Sequence, residues 1–379
     1  MKHKSVLLDE VINSLNIQDD KKYVDATVGY GGHSSEVLKK LGKKGFLFAF
    51  DQDDDAIAYS TERLSKIGDN FTIFKSNFKN MKNFINEKVD GIMFDLGVSS
   101  PQLDEDERGF SFHKDARLDM RMDRSQELDA YKVVNEYSYE KLVEIFFKYG
   151  EEKHARSIAR AIVNHRPIET TLELAEIIKN NVPISYRNKS HPARKVFQAI
   201  RIEVNHELDI LENALRDAFE LLNVGGRLSV ISFHSLEDKI VSKVFKDLCS
   251  DDESARKLPI VPEHLKARAK KILKLVPSDN ELEDNYRSRS SKLRGEDTMI
   301  TIIVVSIIGL LFTSFIGQAM LQSSNSELQR LKQKIETQEE LNAGIQMKIN
   351  ELASLDNALE VADTFGLEYN NNNIRVITD

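Results

Sequence analysis

Cysteine and proline are scarce in this chain and a net positive charge is lacking, and each shortage narrows what it does. One cysteine, Cys249, stands among 379 residues. That rules out an intrachain disulfide framework and suits a reducing cytoplasm. The seven prolines all lie between Pro101 and Pro277, and the composition changes abruptly beyond them. No secretory signal opens the sequence: Met1-Lys2-His3-Lys4 runs into Asp9 and Glu10 rather than an apolar core. None of His33, His113, His191 and His234 shows ligand spacing with a cysteine or another histidine, so no metal is expected. The net charge is −8, the wrong sign for a nucleic-acid binder, but it is unevenly spread. Residues 322–379 hold 5 Lys/Arg against 10 Asp/Glu, and 295–321 hold only Glu296 and Asp297. Residues 1–294 are therefore close to neutral, and any attraction for RNA has to come from local basic patches.

Against these gaps stands Tyr23-Val24-Asp25-Ala26-Thr27-Val28-Gly29-Tyr30-Gly31-Gly32-His33-Ser34. It reads as a short strand, a glycine-rich turn and a helix over Ser34–Leu41. Glycines let a ligand lie against the backbone, and the helix start attracts an electron-rich group. A second apolar run, Gly45 to Phe50, ends in Asp51, where nucleoside-binding α/β folds grip a ribose. The loop is not the dinucleotide G-x-G-x-x-G. Asp25 just before it disfavours a phosphate and fits the cationic, amino-acid end of S-adenosylmethionine.

Strands are expected at 23–28, 46–50, 71–74 and 89–95, with helices at 34–41 and 54–66. Such alternation argues for a parallel sheet covered on both faces. It stops at about residue 103; residues 104–206 read as mostly helical and charged. It resumes with a helix at Leu208–Leu222, then Gly225-Gly226 and a strand at Arg227–Phe233. The picture is one α/β domain split by a helical insertion. Met299 to Leu321 is then 23 residues without a charge, the length of a membrane-spanning helix. The basic flank Arg287 to Arg294 keeps the preceding part cytoplasmic and puts the tail outside. In that tail Leu321, Leu328, Ile335, Asn342 and Ile349 interleave with Ser324, Leu331, Gln338, Ile345 and Leu352 as an imperfect heptad seam, a coiled coil or a solvated helix. A polar loop, Asn370 to Asn373, precedes a short strand at Ile374–Ile377.

After the fourth strand comes Asp95-Leu96-Gly97-Val98-Ser99-Ser100-Pro101. Amino-group methyltransferases place a polar side chain and a tight turn here, which accept the hydrogens of an exocyclic NH₂ and aim its lone pair at the methyl donor. Positioning supplies most of such a rate enhancement. Ser232-Phe233-His234-Ser235 with Glu237-Asp238 ends the late strand at the same sheet edge, lining the target pocket or capping the next helix. Two basic runs are candidates for RNA phosphates or are simply solvated faces. One holds Lys153, His154, Arg156, Arg160, His165, Arg166, Arg187, Lys189, His191, Arg194, Lys195 and Arg201. The other holds Lys266, Arg268, Lys270, Lys271, Lys274 and Arg287 to Arg294.

Taken in order over residues 3–294, these motifs resemble the bacterial 16S ribosomal RNA (cytosine-N4)-methyltransferase family RsmH/MraW. The matching segments include Ser5 to Glu10, Asp25 to Ser34, Asp95 to Asp104, Arg108-Gly109-Phe110-Ser111-Phe112, Leu118 to Asp123, Tyr149 to Glu152, Phe197 to Ile202, Gly225 to Leu228, Ser232 to Asp238 and Arg289 to Arg294. The resemblance implies a class I S-adenosylmethionine methyltransferase, built from residues 1–103 and 207–294, with an RNA-recognising insertion over 104–206. It implies transfer to N4 of a cytidine in the decoding centre of the small ribosomal subunit. Its cofactor contacts carry over to Gly31, Gly32, His33, Asp51, Phe78, Asp95 and Gln102, with Asp95 also positioning the target amino group. Arg194, Lys195, Arg201, Arg287 and Arg289 are the residues we expect at RNA.

Beyond Arg294 the chain departs from that family. The remaining residues are similar to the cell-division protein family FtsL: a membrane helix at 299–321, a coiled coil at 322–355 and a tail at 356–379 with Val361-Ala362-x-x-Phe365-Gly366-Leu367. This implies an enzyme tethered to the inner membrane, with a coiled-coil division partner and a homodimer as candidate assemblies. A methyltransferase for DNA or protein, and a division scaffold with a degenerate front domain, are the competing readings.

Overall fold

The structure, a computed structural model, describes residues 5–99, 102, 106–187, 191–251, 254, 266–298, 328–351 and 355–366. The chain divides into two units, Met1–Thr301 and Ile302–Asp379.

In the first unit seven strands form one sheet in the order β3-β2-β1-β4-β5-β7-β6. They are β1 (Lys22–Asp25), β2 (Phe46–Asp51), β3 (Phe71–Lys75), β4 (Val89–Asp95), β5 (Leu222–Ser232), β6 (Lys270–Leu275) and β7 (Lys292–Asp297). All pairs from β3 to β5 are parallel, and β7 runs antiparallel to both β5 and β6. A parallel strand is covered on both faces, and its side chains alternate between them. Tyr23, Leu47 and Met93 accordingly pack with Val11, Leu15, Val37 and Leu64 of α1 (Leu8–Leu15), α2 (Gly32–Lys40) and α3 (Asp54–Ser65). Val24, Ile92 and Phe94 pack the other way, against Met81 of α4 (Met81–Phe84) and the helices that flank β5.

The insertion has an apolar cluster of its own. It is built by α5 (Ala130–Glu136), α6 (Tyr139–Lys148), α7 (Ala155–Asn164), α8 (Thr171–Asn180), the short α9 (Ile184–Arg187) and α10 (Ala193–Asn205). Phe146, Ile158, Ile162, Leu174, Ile178, Val196 and Ile200 are buried in it. α11 (Leu211–Leu221) then leads into β5, and α12 (Ser235–Leu248) comes after it. α13 (Asp279–Asp284) lies between β6 and β7.

The differences from the expected elements have local causes. The helix after the glycine loop begins at Gly32, not Ser34, because Gly31 takes the left-handed conformation (φ 74°) that starts it. The helix expected from Leu208 begins at Leu211, and β5 starts five residues before Arg227. Residues 109–129 are irregular rather than helical, tied down by a bridge between Arg117 and Thr170. The second basic run is corrected more strongly, because it contains β6 and β7. Lys292 Nζ and Arg294 Nε both reach Asp238 of α12, at 3.0 and 2.8 Å, so these cations hold the sheet to a helix.

In the second unit, residues 328–351 are helical and exposed, and α14 (Leu355–Thr364) is helical too. Residues 299–321, expected to cross a membrane, and the expected strand at Ile374–Ile377 lie outside the described residues. No helix among the described residues is long and apolar enough for a span.

Gly150 shows how tightly the insertion is joined. A Cβ there would stand 2.7 Å from the carbonyl oxygens of both Phe146 and Lys195, which are backbone and cannot swing aside. Gly150→Ala is expected to destabilise the chain by about 1–3 kcal/mol, read as a lower urea midpoint.

Candidate active site

The strand order reverses between β1 and β4, and in open α/β sheets ligands bind outside the carboxyl ends of the strands at that point. The loop after β1 lies there. Gly29 and Gly31 take φ values of 50° and 74°, where a side chain would be strained. The Gly29 N–H donates to Asp51 Oδ2 at 2.8 Å, and Asp51 Oδ1 accepts from the N–H groups of Gln52 (2.8 Å) and Asp53 (3.0 Å). Asp51 therefore locks the loop to the end of β2, and its Oδ2 retains lone-pair capacity for a ribose hydroxyl. Burial raises its pKa against those amides. A Cβ on Gly32 would fall 1.8 Å from Ser5 Oγ, so the N-terminal segment lies directly over the loop.

Asp25 does not do what its position suggested. Its oxygens accept from the Ser34 hydroxyl at 2.6 Å and the Thr27 N–H at 3.1 Å, and it is buried behind the loop instead of lining the cleft. Burial pushes its pKa up to about 6 against those two hydrogen bonds. Asp95, unlike Asp25, lines the cleft, as Asp51, Glu207 and Glu237 also do. The Asp95 N–H donates to Thr27 Oγ1 at 2.6 Å, fixing the end of β4 to the loop. Asp95 Oδ1 is buried without a hydrogen-bond partner, and Oδ2 lies 3.5 Å from His33 Nδ1. His33 Nε2 donates to the Val6 carbonyl at 3.0 Å, so in the neutral ring Nδ1 is an acceptor turned to the carboxyl. Burial, reinforced by the charge of Glu237, raises the Asp95 pKa to about 7. Burial lowers that of His33.

The cleft encloses about 1460 Å³. Phe78 forms part of its wall, edge-on to Phe94 at 5.5 Å, beside Asn77, whose amide donates to Gln52 Oε1 at 3.0 Å. Gln102 is buried: it donates to Asp53 Oδ2 at 2.7 Å and accepts from the Ser99 N–H at 3.0 Å, bracing the turn after β4. Asp53 also meets the fully buried Arg108 at 2.8 Å, which couples α3 to the insertion. Gly31 lies against Ser60 instead of lining the cleft; the structure brings Gly32, His33, Asp51, Phe78, Asp95 and Gln102 together around it.

Of the residues expected at RNA, Arg194 and Arg289 are exposed at the cleft. Lys195 donates to the Glu151 carbonyl at 2.8 Å. Arg201 faces the cleft, but both ends of its fork hold Glu207, at 2.8 and 2.7 Å, so it is not a free cation. The side chain of Arg287 lies outside the described residues. Sequence reasoning missed Gln52, Asn77, Met122, Asn205 and Glu207 as lining residues. Only Asn77 left a signal, as an N-capping residue before Phe78.

Glu207, His234 and Glu237 form the one group of metal-type donors among the described residues. Much of this donor set is taken: both Glu207 oxygens by Arg201, His234 Nδ1 by the Glu237 N–H, and Glu237 Oε2 by the N–H groups of Phe233 and His234. A capped carboxylate and one neutralised by arginine are poor cation ligands.

Residues 1–298 match the MraW methylase family. The chain is 51% identical over 302 residues to the ribosomal RNA small subunit methyltransferase H of Oceanobacillus iheyensis, covering 77% of this chain and 93% of that protein. Structural likenesses are looser. An rRNA methylase from Streptococcus thermophilus is 13% identical, covering 79% of this chain and all of that one, with a TM-score of 0.37. A SAM-dependent O-methyltransferase from Thermotoga maritima is 10% identical, covering 79% and 68%, with a TM-score of 0.36. The match over residues 1–298, glycine loop and Asp95 turn included, shows that the chain belongs to the MraW methylase family.

Proposed function

We propose that this chain, an S-adenosylmethionine-dependent rRNA (cytosine-N4)-methyltransferase by its family, methylates a cytidine in the decoding centre of 16S rRNA. The observation that carries the reading of the site is Asp95, a carboxyl with an orphaned buried oxygen at the switch point, beside a loop of left-handed glycines. An orphaned acceptor of this kind fits a ligand that brings N–H groups or positive charge.

S-adenosylmethionine, when bound, supplies an electrophilic methyl carbon whose bond to sulfur breaks as the bond to N4 forms. Asp51 would hold its ribose, Phe78 its adenine, and Gly31, Gly32, His33 and Gln102 the loop and turn around it. Asp95 accepts an N4–H of the cytosine and turns the nitrogen lone pair toward the methyl; the displaced proton leaves to water. The insertion, 104–206, is the RNA-recognising part, with Arg194 and Arg289 meeting phosphates and Lys195 and Arg287 at the rim. Arg201 acts here through Glu207.

Beyond the family match, we read 299–321 as a membrane helix that tethers a cytoplasmic enzyme and 322–355 as an FtsL-like coiled coil. Its support is the exposed row Leu328, Leu331, Ile335, Ile345 and Ile349 on the helix 328–351. It would pair with a second copy or a division partner.

Three results check these readings. Transfer of labelled methyl from S-adenosylmethionine to small ribosomal subunits should occur and should fall at least about 100-fold in Asp95→Ala; retained activity would sink the site assignment. The second concerns pH. The Asp95 pKa is 3.8 in an exposed carboxyl and about 7 here, so the folded state binds the proton more tightly. The stability this gives is present at low pH and lost as pH rises from about 4 to about 7. The ligand-free Asp95→Asn variant should gain melting temperature over wild type through that window; a constant difference contradicts it. Third, the natively expressed protein should have an intact mass near 43.2 kDa and sediment with membranes. Two shorter products would dismiss the tether.

A further inference from the structure

His234 holds another polar atom at this cleft that is buried without a partner. It sits at the N-cap of α12, three residues beyond Ile231, which pairs in register with Asp95 across β5 and β4. Its Nδ1 accepts from the Glu237 N–H, so in the neutral ring the proton is on Nε2. Nε2 is buried and makes no hydrogen bond. Glu237 Oε1 is 3.1 Å away without making a hydrogen bond to it, and the other oxygen of that carboxylate accepts from the Phe233 and His234 amides. The side chain is 9% exposed, and it lines the cleft. A buried donor without an acceptor is costly unless a ligand supplies one.

We propose that His234 is a specificity-determining residue whose Nε2–H reads ring N3 of the target cytosine. This rests on the reading that Asp95 faces the amino group. The site then offers a donor beside an acceptor, which matches the N3 acceptor and N4–H donor of cytosine. Uracil presents the reverse, an N3–H and an O4, and would set donor against donor and acceptor against acceptor. Glu237 fixes the tautomer: its N–H donates to Nδ1 and so leaves the proton of the neutral ring on Nε2. Glu207, held by Arg201, brings a carboxylate oxygen within 4.8 Å of the His234 ring nitrogen at the same cleft.

The test uses the full chain and small subunits reconstituted with 16S rRNA carrying either cytidine or 3-deazacytidine at the methylated position. The deaza base has C–H where N3 stood. His234→Asn keeps an acceptor for the helix cap but is too short to place a donor at Nε2; His234→Gln does the opposite. Wild type should lose on the order of 10- to 100-fold in kcat/KM on the deaza substrate. His234→Asn should lose as much on the normal substrate and show no further loss on the deaza one. His234→Gln should recover most activity while melting lower. Equal deaza penalties in wild type and His234→Asn would overturn the proposal, because then the ring nitrogen is read elsewhere or not at all. Failure of wild type to methylate cytidine would instead defeat the underlying assignment.

Discussion

The placement of β4 between β1 and β5 is the constraint on which the site depends. Through the register Asp25 to Met93 on one side and Asp95 to Ile231 on the other, three strands end together. The glycine loop, the Asp95 turn and the His234 cap continue directly from those ends. Thr27 ties the first two with one hydrogen bond from the Asp95 amide. A slip of one residue in β4 would send Asp95 to the opposite face, into the packing of Ile92 and Phe94 or its counterpart. The buried row Gly91, Ile92, Met93 and Phe94 prevents that slip, since its apolar side chains are matched to both layers of helices. Gly91 itself stays small because Tyr23 lies where its Cβ would stand.

Much of this was legible in the chain. Strands ending at Asp51 and Asp95 announce themselves as apolar runs closed by a carboxylate, and the glycine loop has the composition that positive φ demands. What hid was everything stabilised by charge. β7, Lys292-Leu293-Arg294-Gly295-Glu296-Asp297, is almost wholly buried, yet four of its six residues are ionisable. No hydrophobic period marks such a strand; Arg294 enters the interior because Asp238 meets it. The same blindness affected Asp25. Its proximity to the loop was evident, but whether it faced a ligand or the Ser34 hydroxyl depends on which way the strand is turned. The group Arg201, Glu207, His234 and Glu237 is assembled from α10, the turn after it, and the start of α12, so no spacing announces it.

Two neighbouring carboxyls, Glu237 buried and Asp95 about a third exposed with one oxygen buried, would ordinarily repel, and here their surroundings separate them. The His234 imidazole first, then Arg201 and the Phe233 backbone N–H, hold the Glu237 pKa down despite burial. Asp95 has no comparable donors, and burial with the charge of Glu237 drives it up to about 7. The surroundings thereby push the two carboxyls in opposite directions, Glu237 down and Asp95 up. Glu237 is structural, the clasp of a capping box. Asp95 is left as the adjustable member.

That adjustment has a direction. In the ligand-free chain the raised pKa lets Asp95 keep a proton, which spares its poorly solvated oxygen an uncompensated charge. A sulfonium and an α-ammonium entering the cleft would favour the ionised form, because opposite charges in a poorly solvated site attract strongly. Ionised, Asp95 is acceptor only, the state needed to hold an amino N–H; protonated, it would offer a donor and favour the wrong edge of a pyrimidine. Binding of the methyl donor would thus prepare the acceptor for the methyl's recipient, with no conformational change required. Under that proposal the unsatisfied Asp95 oxygen has a use, in a site where Asp51, Asp53 and Glu237 are each held by hydrogen bonds.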